Sequence, residues 1–567
     1  MVLRIRGDRQ RFGRASSAFL LTALASLSVT NELVAQTTGA GAARAATLDL
    51  TVTADRVFAA WNNTHGPGCA VGVARGGTTL LTRGYGMADI QSDRPITPTT
   101  ILESGSVAKQ FTATAVLLLM QDGKLSLDDD ARRYLPELPQ YGRTITVRHL
   151  LTHTSGLREW SNLFEWQGWP RGTRLHTQSD VYDIITWQKS LNYPVGDYYS
   201  YTNSGFLLLR TLVERVSGKN FETFTAERIF TPLGMTNTRW RGDYTRLVPG
   251  LAQAYGRHAD GWHLNMPFDN VIGAGGLLTT VGDWLIWNDA LTKKSLGAAM
   301  GDSITRQMKL TSGLEIQYAM GVTVTRYRGL REISHSGSTA GYSTFLARYP
   351  EQDNLSIAVM CNAAGANATA YTRALVDALV PGLPRATPLD SATVDASSLA
   401  RWRGIYRDTR TNTTVMLDTA QGRLTWGGAA LIPLRSGLFA LGATRIRFDV
   451  TASGRETSMR RSTADGDTVL FVRVAESTWI PTATELAALA GRYRSDEIGV
   501  TYTVAVANGS LTVSPRAGIV SVLTPTYRDA FESPSANVWF TRDAKGRVAA
   551  MHFGESRVWN LVSVRVP

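Results

Sequence analysis

The sequence predicts an α/β (α+β) domain, in which helices flank an antiparallel sheet, followed by two all-β modules. Strand patterns lie at both ends of residues 51–382, two early (69–75 and 79–86) and three late, with helical patterns between them. A Pro-rich stretch, "PGLPRATPLD", then precedes a remainder of short alternating strands. An antiparallel sheet assembled from both ends of one segment is typical of this fold class.

Length and composition indicate a large globular protein. The chain has 567 residues, more than one ordinary domain, with 43% hydrophobic and 19% charged residues. The formal net charge is +12, yet no Lys/Arg-rich block follows the N-terminal segment. The charge pattern therefore predicts no nucleic-acid partner, and the basic excess favours either solubility or attraction to anionic surfaces and substrates.

Residues 1–35 are predicted to be a secretory signal peptide. An Arg-rich start precedes the apolar run "ASSAFLLTALASLSV" and a small-residue region near "LVAQ". The apolar run is about a dozen residues long, which is too short to cross a bilayer well and disfavours the alternative of a membrane anchor. We expect a secreted or periplasmic bacterial protein, with a linker at 36–50 and no stable membrane span after signal removal.

The domain predicted at 51–382 begins with a short amphipathic helix in "TADRVFAAWNNTH" and the two early strands. The stretch "GSVAKQFTATAVLLLMQDGKL" follows as a helix, because its apolar residues repeat at helical spacing and "DG" supplies a C-terminal stop. The late strands are "REISHSG", "YSTFLARYP" and "NLSIAVMCN", the last two joined by the turn residues "PEQDN". A helix in "NATAYTRALVDALV" closes the domain before a linker at 383–397.

The rest of the chain contains an internal repeat of two β-rich units, predicted at 398–476 and 484–567. "RGIYRD" matches "GRYRSD" with Gly404 aligned to Gly491, and "VMLDTAQGRLT" matches "YTVAVANGSLT" at the same offset of 87 residues. Units of about 80 residues made of strands suit small barrels with closed edges. We identify no catalytic motif in either unit and expect their Trp and Tyr residues to lie in the barrel cores.

Cys69 and Cys361 are the two cysteines of the chain, and both lie in apolar strand-like runs. They form a disulfide if those strands are neighbours and are otherwise two buried free thiols, and the sequence leaves both possibilities open. His149 and His153 have the i, i+4 spacing of metal ligands, but no third ligand accompanies them. We therefore expect no metal and no cofactor.

The strongest chemical signal is Ser106-x-x-Lys109. Only 8 of the 59 basic residues are lysines, so a surface cation in this chain is most often Arg. Arg cannot lose its proton in a protein, whereas a buried Lys can, and positions i and i+3 of a helix share a face. Burial makes Lys109 a candidate base for the Ser106 hydroxyl, and a helix N-terminus stabilises developing negative charge. A helix-capping Ser beside a surface Lys is the alternative.

Two further motifs supply polar groups suited to the same chemistry. "YSYTNSG" places Tyr201 and Asn203 in a Pro/Gly-bounded loop before an apolar helix, where a phenol relays protons and an amide both donates and accepts hydrogen bonds. "ISHSGS" places His335 and Gly337 at the end of a strand, whose backbone N–H groups bind a carbonyl oxygen while Gly permits close approach.

In this order, the three motifs resemble the S-x-x-K, Y-x-N and [KHR]-x-G elements of the serine β-lactamase and penicillin-binding protein superfamily. "HLLTHTSGL" and "AGGLLTTVGDWLIWNDAL" resemble scaffold segments of its class C-like members. The resemblance covers about residues 50–380 and implies a β-lactamase-like transpeptidase fold with an all-helical lobe, followed here by two lipocalin-like barrels. It also implies that Ser106 is acylated and that Lys109 and Tyr201 share the general acid/base work.

The resemblance implies four substrate-binding residues as well. Asn203 is expected to contact a substrate amide, and His335 and Gly337 to line the strand wall. The backbone N–H groups of Ser106 and Ser338 are expected to form the oxyanion hole. His335 stands where true class C β-lactamases have Lys, which is more similar to D-aminopeptidases and D-alanyl-D-alanine carboxypeptidases and disfavours efficient β-lactam turnover.

The predicted function is a serine hydrolase that acts through an acyl-enzyme, most of all on small peptides or amides containing D-amino acids. An esterase or a β-lactamase of the same superfamily is the first alternative, because all three share one mechanism. A penicillin-binding sensor or interaction protein that acylates slowly or not at all is the second. The expected partner is a small molecule or a short peptide, and the sequence does not determine the leaving group or the oligomeric state.

Overall fold

A computed structural model describes residues 49–384, 389–435, 437–450, 456–463, 467–474 and 479–567. The predicted signal peptide and nearly all of the predicted linker at 36–50 lie outside these residues. Residues 49–57 form a helix, α1. Within the described part of the chain, no helix combines the length and the hydropathy needed to span a bilayer.

An antiparallel sheet lies at the centre of the first domain. Its six strands are β1 (Cys69–Arg75), β2 (Thr78–Tyr85), β10 (Thr323–Tyr327), β11 (Leu330–Thr339), β12 (Tyr342–Tyr349) and β13 (Leu355–Cys361). Their order is β10-β11-β12-β13-β1-β2, so strands from both ends of the domain are neighbours, and the predicted sheet is confirmed. Strand β10 is not among the predicted strands, because it is a short edge strand whose residues do not alternate between buried and exposed.

Short strands outside this sheet pair with one another between the longer elements of the domain. They form three small antiparallel groups: β3 (Met87–Asp89) with β4 (Arg94–Pro95), β9 (Leu277–Thr279) between β5 (Leu102–Glu103) and β6 (Arg239–Trp240), and β7 (Tyr255–His258) with β8 (Gly261–Leu264).

Cys69 and Cys361 form a disulfide. The strands β1 and β13 are neighbours, and their antiparallel register places the two cysteines opposite each other. Both are fully buried. Of the two possibilities that the sequence leaves open, the disulfide is therefore the one observed.

The helices flank the sheet and form a separate lobe. They are α2 (Lys109–Gln121), α3 (Val147–Leu151), α4 (Trp160–Trp166), α5 (Gln178–Thr186), α6 (Asn203–Ser217), α7 (Phe221–Thr225), α8 (Thr231–Leu233), α9 (Val281–Lys293), α10 (Ala298–Ser303) and α11 (Ala368–Leu379). Helices α9 and α11 pack on the central sheet, whereas α6 packs against α2, α3, α5 and α7. Helix α2 is buried along nearly its whole length, which places Lys109 inside the protein.

His149 stabilises the N-terminus of α3. The Thr146 hydroxyl accepts a hydrogen bond from the backbone N–H of His149, and His149 Nδ1 accepts one from the backbone N–H of Thr146 at 3.1 Å, which forms a capping box. Burial, and then the positive charge of Arg148, lowers the pKa of His149 to about 4. The ring is therefore neutral in the folded protein at neutral pH.

Replacing His149 with Gln is expected to make the fold less sensitive to mild acid. Because the folded-state pKa is below the ordinary value of 6.5, the unfolded chain binds more protons between about pH 6.5 and 4, and stability falls as the pH falls through this window. Gln keeps the capping box but does not titrate, so the variant should lose less stability between pH 7.5 and 5, by on the order of 1 kcal/mol. Urea unfolding at both pH values measures this, and equal losses in the two proteins would contradict it.

The C-terminal part of the chain, from Ala396 onward, forms two β-rich units. The first has nine strands: β14 (Gly404–Asp408), β15 (Thr414–Ala420), β16 (Arg423–Trp426), β17 (Ala429–Ala430), β18 (Ile432–Pro433), β19 (Leu438–Leu441), β20 (Thr444–Val450), β21 (Glu456–Ser462) and β22 (Thr468–Arg473). Its end strands β17 and β18 are consecutive in the chain, so this sheet nearly closes. A short helix, α12 (Ala396–Leu399), precedes it.

The second unit is a closed barrel of eight strands, in which the last strand pairs with the first. Its elements are α13 (Ala483–Leu489), β23 (Gly491–Ser495), β24 (Val500–Ala507), β25 (Ser510–Arg516), β26 (Ile519–Tyr527), β27 (Ala530–Glu532), β28 (Asn537–Arg542), β29 (Val548–Glu555) and β30 (Val558–Val566). The predicted pair of barrel-like units is confirmed.

Matching contacts in the two units reproduce the sequence repeat. A Cβ at Gly404 would lie 3.2 Å from Arg473 Nε, and a Cβ at Gly491 would lie 3.1 Å from the Arg565 guanidinium. Each arginine also donates to two backbone carbonyls that shortly precede the glycine. The repeated glycine therefore makes room for an arginine that ties the first strand of each unit to its last.

Candidate active site

Ser106 lies in a 3₁₀ turn, Gly105–Ala108, that leads directly into α2. Gly105 has φ 51°, and a Cβ there would lie 2.6 Å from the backbone nitrogen of Ser338. Glycine tolerates both this conformation and this close approach. The turn that carries Ser106 therefore rests on β11, and Ser106 and Ser338 line the same cleft.

Lys109 is fully buried in the first turn of α2. Its Nζ lies 3.2 Å from Ser106 Oγ and donates to Asn203 Oδ1 and to the backbone oxygen of Ala274, each at 2.7 Å. Burial lowers the pKa of Lys109 well below its ordinary value, and the charge of Glu159 opposes this shift only in part. A neutral amine has two N–H groups for the two oxygen acceptors and one lone pair for the Ser106 proton. The geometry therefore suits Lys109 as the base.

Tyr201 lies beside this amine in the loop before α6. The centroid of its ring is 4.9 Å from Lys109 Nζ, and its hydroxyl is buried without a hydrogen bond of ordinary geometry to the described residues. Burial raises the pKa of Tyr201, with the Ser106 hydroxyl acting in the opposite direction, so the phenol is protonated at neutral pH. A protonated phenol beside the nucleophile is suited to donate a proton rather than to accept the first one.

Asn203 is oriented by a buried carboxylate that the sequence analysis does not single out. Glu159 accepts hydrogen bonds from the backbone nitrogen of Asn203 at 2.6 Å, from Asn203 Nδ2 at 3.1 Å and from Thr202 Oγ1 at 3.1 Å. Because Nδ2 faces Glu159, Oδ1 faces Lys109 Nζ. Glu159 is therefore a positioning residue for the amide that meets the amine.

His335 lies on β11 as a neutral imidazole. Its Nδ1 is 2.6 Å from the backbone oxygen of Ser336, so Nδ1 carries the proton and Nε2 accepts from the Tyr318 hydroxyl at 3.0 Å. Burial, followed by the charge of Lys109, lowers the pKa of His335 to about 3. The strand wall therefore lacks the positive charge that a Lys-Thr-Gly triad carries.

Gly337 marks the point where β11 meets the turn that carries the nucleophile. A Cβ there would lie 2.1 Å from the backbone oxygen of Ser104 and 2.3 Å from Thr344 Oγ1. Strand β10 pairs with β11 only as far as Ser334, so from His335 onward no strand of the described residues pairs with the outer edge of β11. This edge is the wall against which a substrate can lie.

Two cavities meet at Ser106. The smaller, about 440 Å³, includes the apolar side chains of Trp160 and Leu207, and the larger, about 1310 Å³, includes residues 335–338 and Arg557. The structure brings together all seven residues that the sequence analysis places in the site: Ser106, Lys109, Tyr201, Asn203, His335, Gly337 and Ser338.

Three residues at the site escape the sequence analysis for different reasons. Glu159 lies two residues after the segment "HLLTHTSGL", so proximity to a scaffold motif was a usable signal. Tyr318 has no motif around it and reaches His335 only through the fold. Arg557 belongs to the second barrel, in which the sequence shows no catalytic motif, and it lines the larger cavity beside Ser106.

This fold and this Ser–Lys–Tyr cluster define a serine hydrolase. A family model described as beta-lactamase matches residues 53–381, more than half of the chain, and the chain belongs to this family.

Two curated relatives show how far the similarity extends. Penicillin-binding protein 4* of Bacillus subtilis (strain 168) is 29% identical over 294 residues, which cover 49% of this chain and 64% of that protein, so the match spans less than two thirds of that relative. The D-aminopeptidase of Brucella ovis is 26% identical over 538 residues, which cover 89% of this chain and 97% of the relative. The second match therefore extends well beyond the first domain.

Solved structures share the fold. D-amino acid amidase from Ochrobactrum anthropi, in complex with D-phenylalanine, matches with a TM-score of 0.50 and 20% identity, covering 58% of this chain and 99% of the amidase. The octameric penicillin-binding protein homologue from Pyrococcus abyssi matches with a TM-score of 0.50 and 19% identity, covering 87% of this chain and 95% of that protein.

Proposed function

We propose that the protein is a secreted or periplasmic serine peptidase or amidase that acts through an acyl-enzyme on Ser106, with small peptides or amides containing D-amino acids as substrates. The observation that carries this proposal is the buried amine of Lys109, 3.2 Å from Ser106 Oγ and satisfied by two oxygen acceptors. Such an amine serves as a base at neutral pH.

Acylation begins when Ser106 Oγ attacks the substrate carbonyl carbon and its proton passes to Lys109 Nζ. The backbone N–H groups of Ser106 and Ser338 stabilise the oxyanion. Tyr201 donates its proton to the leaving nitrogen and regains one from Lys109 as the C–N bond breaks. Water then attacks the acyl-enzyme, the same groups carry its proton to Ser106 Oγ, and the acid product leaves.

The preference for D-residues rests on the relatives and on the charge of the strand wall. The relative that aligns over 97% of its own length is named D-aminopeptidase. The D-amino acid amidase that shares the fold was solved in complex with D-phenylalanine. His335 is neutral where β-lactamases of class C have a cation, so the strand wall itself offers no charge to the carboxylate of a β-lactam. A peptidase or amidase therefore ranks above a β-lactamase.

Two observations support export. The Cys69–Cys361 disulfide is typical of proteins that fold in an oxidising compartment. The first 35 residues have the order of a secretory signal peptide. Fractionation of the native host, with an antibody against the protein, tests the location.

A probe and a substrate panel test the activity. A fluorophosphonate probe should add to the tryptic peptide that contains Ser106, and Ser106→Ala should abolish the adduct while retaining the melting temperature of the wild type. Among D- and L-alanine p-nitroanilides, N-acetyl-D-Ala-D-Ala, p-nitrophenyl acetate and a chromogenic cephalosporin, we expect the highest kcat/KM on a D-configured amide. A higher value on the ester or the cephalosporin would mean that the substrate class is an ester or a β-lactam. A lasting acyl adduct of the cephalosporin on Ser106, with no turnover of any member of the panel, would mean that the protein is a sensor.

A further inference from the structure

The larger cavity beside Ser106 is cationic. Two arginines line it, and no carboxylate does so among the described residues. Arg171 is neutralised, because its Nη2 lies 2.6 Å from Asp269 Oδ2. The guanidinium of Arg557 forms no ion pair with a carboxylate in the described ranges; Glu555, which lines the neighbouring cavity with Arg557, accepts instead from its backbone N–H at 3.3 Å.

Arg557 reaches this cleft from the turn between β29 and β30, in the second barrel. Its backbone oxygen accepts hydrogen bonds from Asn192 Nδ2 at 2.9 Å and from the backbone nitrogen of Glu159 at 3.3 Å. The backbone nitrogen of Trp559 donates to Asn192 Oδ1 at 2.9 Å. The first domain therefore holds the backbone of the turn at Arg557 and Trp559, and the guanidinium lies over the ring of Tyr201, 5.1 Å from its centroid.

The N-terminus of α11 also favours negative charge in this cavity. Residues 366–369, which include the start of α11, line the same cavity as Arg557. The first-turn N–H groups of a helix carry partial positive charge and favour an anion nearby. The arginine and the helix start therefore favour one kind of ligand, a group with negative charge.

We propose that Arg557 is a specificity-determining residue that binds a carboxylate of the substrate, so that the enzyme prefers a substrate with an anionic group to the same substrate without it. Guanidinium and carboxylate form paired, charge-assisted hydrogen bonds, and a substrate ammonium group at this position is repelled. The proposal rests on the proposed function and adds to it that the second barrel completes the substrate site.

Matched substrate pairs test Arg557. N-acetyl-D-Ala-D-Ala and its C-terminal amide differ in charge on the leaving-group side, and N-succinyl- and N-acetyl-D-alanine p-nitroanilide differ in charge on the acyl side. In the wild-type full-length protein we expect the anionic member of at least one pair to have a kcat/KM about tenfold higher. Arg557→Gln should reduce this ratio to about one, and Arg557→Glu should invert it.

Arg492→Gln is the matched control, since it removes the same charge from an exposed position on β23 of the same barrel. It should leave both ratios at their wild-type values. The proposal is overturned if Arg557→Gln retains the wild-type ratio in both pairs, or if the wild type prefers the neutral members. The rate of fluorophosphonate labelling of Ser106 shows that each variant is folded and reactive.

A third pair of substrates, both esters, tests the role of Arg557 independently of the proposed peptidase activity. If no amide is cleaved, the D-peptidase assignment fails, and 4-acetoxybenzoate and its methyl ester then test Arg557 alone. A wild-type preference for the acid over its methyl ester that Arg557→Gln removes would support the anionic subsite on a different enzyme. The same ratio in the wild type and the variant would overturn it.

Discussion

Lys109→Arg is expected to lower the rate of Ser106 acylation about 10²–10⁴-fold, the contribution of a well-placed general base. The substitution keeps a long basic side chain, yet a guanidinium does not release its proton at any pH that the fold survives. It also replaces a neutral amine with a permanent cation among Asn203 Oδ1, the Ala274 oxygen and Ser106 Oγ. The rate of fluorophosphonate labelling and kcat/KM on a D-configured amide measure the loss.

A second variant and a control keep this result interpretable. Lys109→Met has a similar volume but cannot accept a proton, so it should be inactive, and the loss of the donor to Asn203 Oδ1 and the Ala274 oxygen should cost about 1–3 kcal/mol of stability. Lys124→Arg makes the same substitution at an exposed position just after α2 and should behave as the wild type. Near-normal acylation in Lys109→Arg would assign the base to another group, with Tyr201 the first candidate.

The relation between Ser106 and Lys109 is predictable from the sequence because it is local. Three residues of helix bring the amine back to the hydroxyl whatever the rest of the fold does. The protonation state of the amine is not local: it depends on α2 being buried on all sides and on Glu159, which approaches from the start of α4. A motif can therefore name the base, whereas its basicity follows only from the tertiary structure.

Contacts between segments that are distant in the chain are also difficult to predict from the sequence. The strand patterns around Cys69 and Cys361 are clear in the sequence, but only the observed register places the two thiols opposite each other. Arg557 is further from prediction, since neither the repeat nor any motif marks the β29–β30 turn. Its position in the cleft follows from hydrogen bonds that Asn192 and Glu159 make to the backbone of that turn.

Gly337→Ala is expected to cost about 10²-fold in kcat/KM, because the added methyl group displaces the nucleophile. The new Cβ would lie 2.1 Å from the Ser104 backbone oxygen, two residues before Ser106, and 2.3 Å from Thr344 Oγ1. A displacement of about 1 Å between reacting groups is enough for a loss of this size, and overpacking adds about 1–3 kcal/mol of destabilisation. Labelling kinetics and a melting curve measure the two effects separately.

Two companions separate displacement of the nucleophile from a general loss of packing. Gly282→Ala adds the same methyl group in the first turn of α9, where the nearest atom is 3.7 Å away, and should retain both activity and stability. Thr344→Ala in the Gly337→Ala background relieves the softer of the two contacts but leaves the Ser104 carbonyl, so activity should stay low. Recovery in that double variant would mean that the hydroxyl of Thr344, rather than the backbone before Ser106, sets the distance between β11 and the nucleophile.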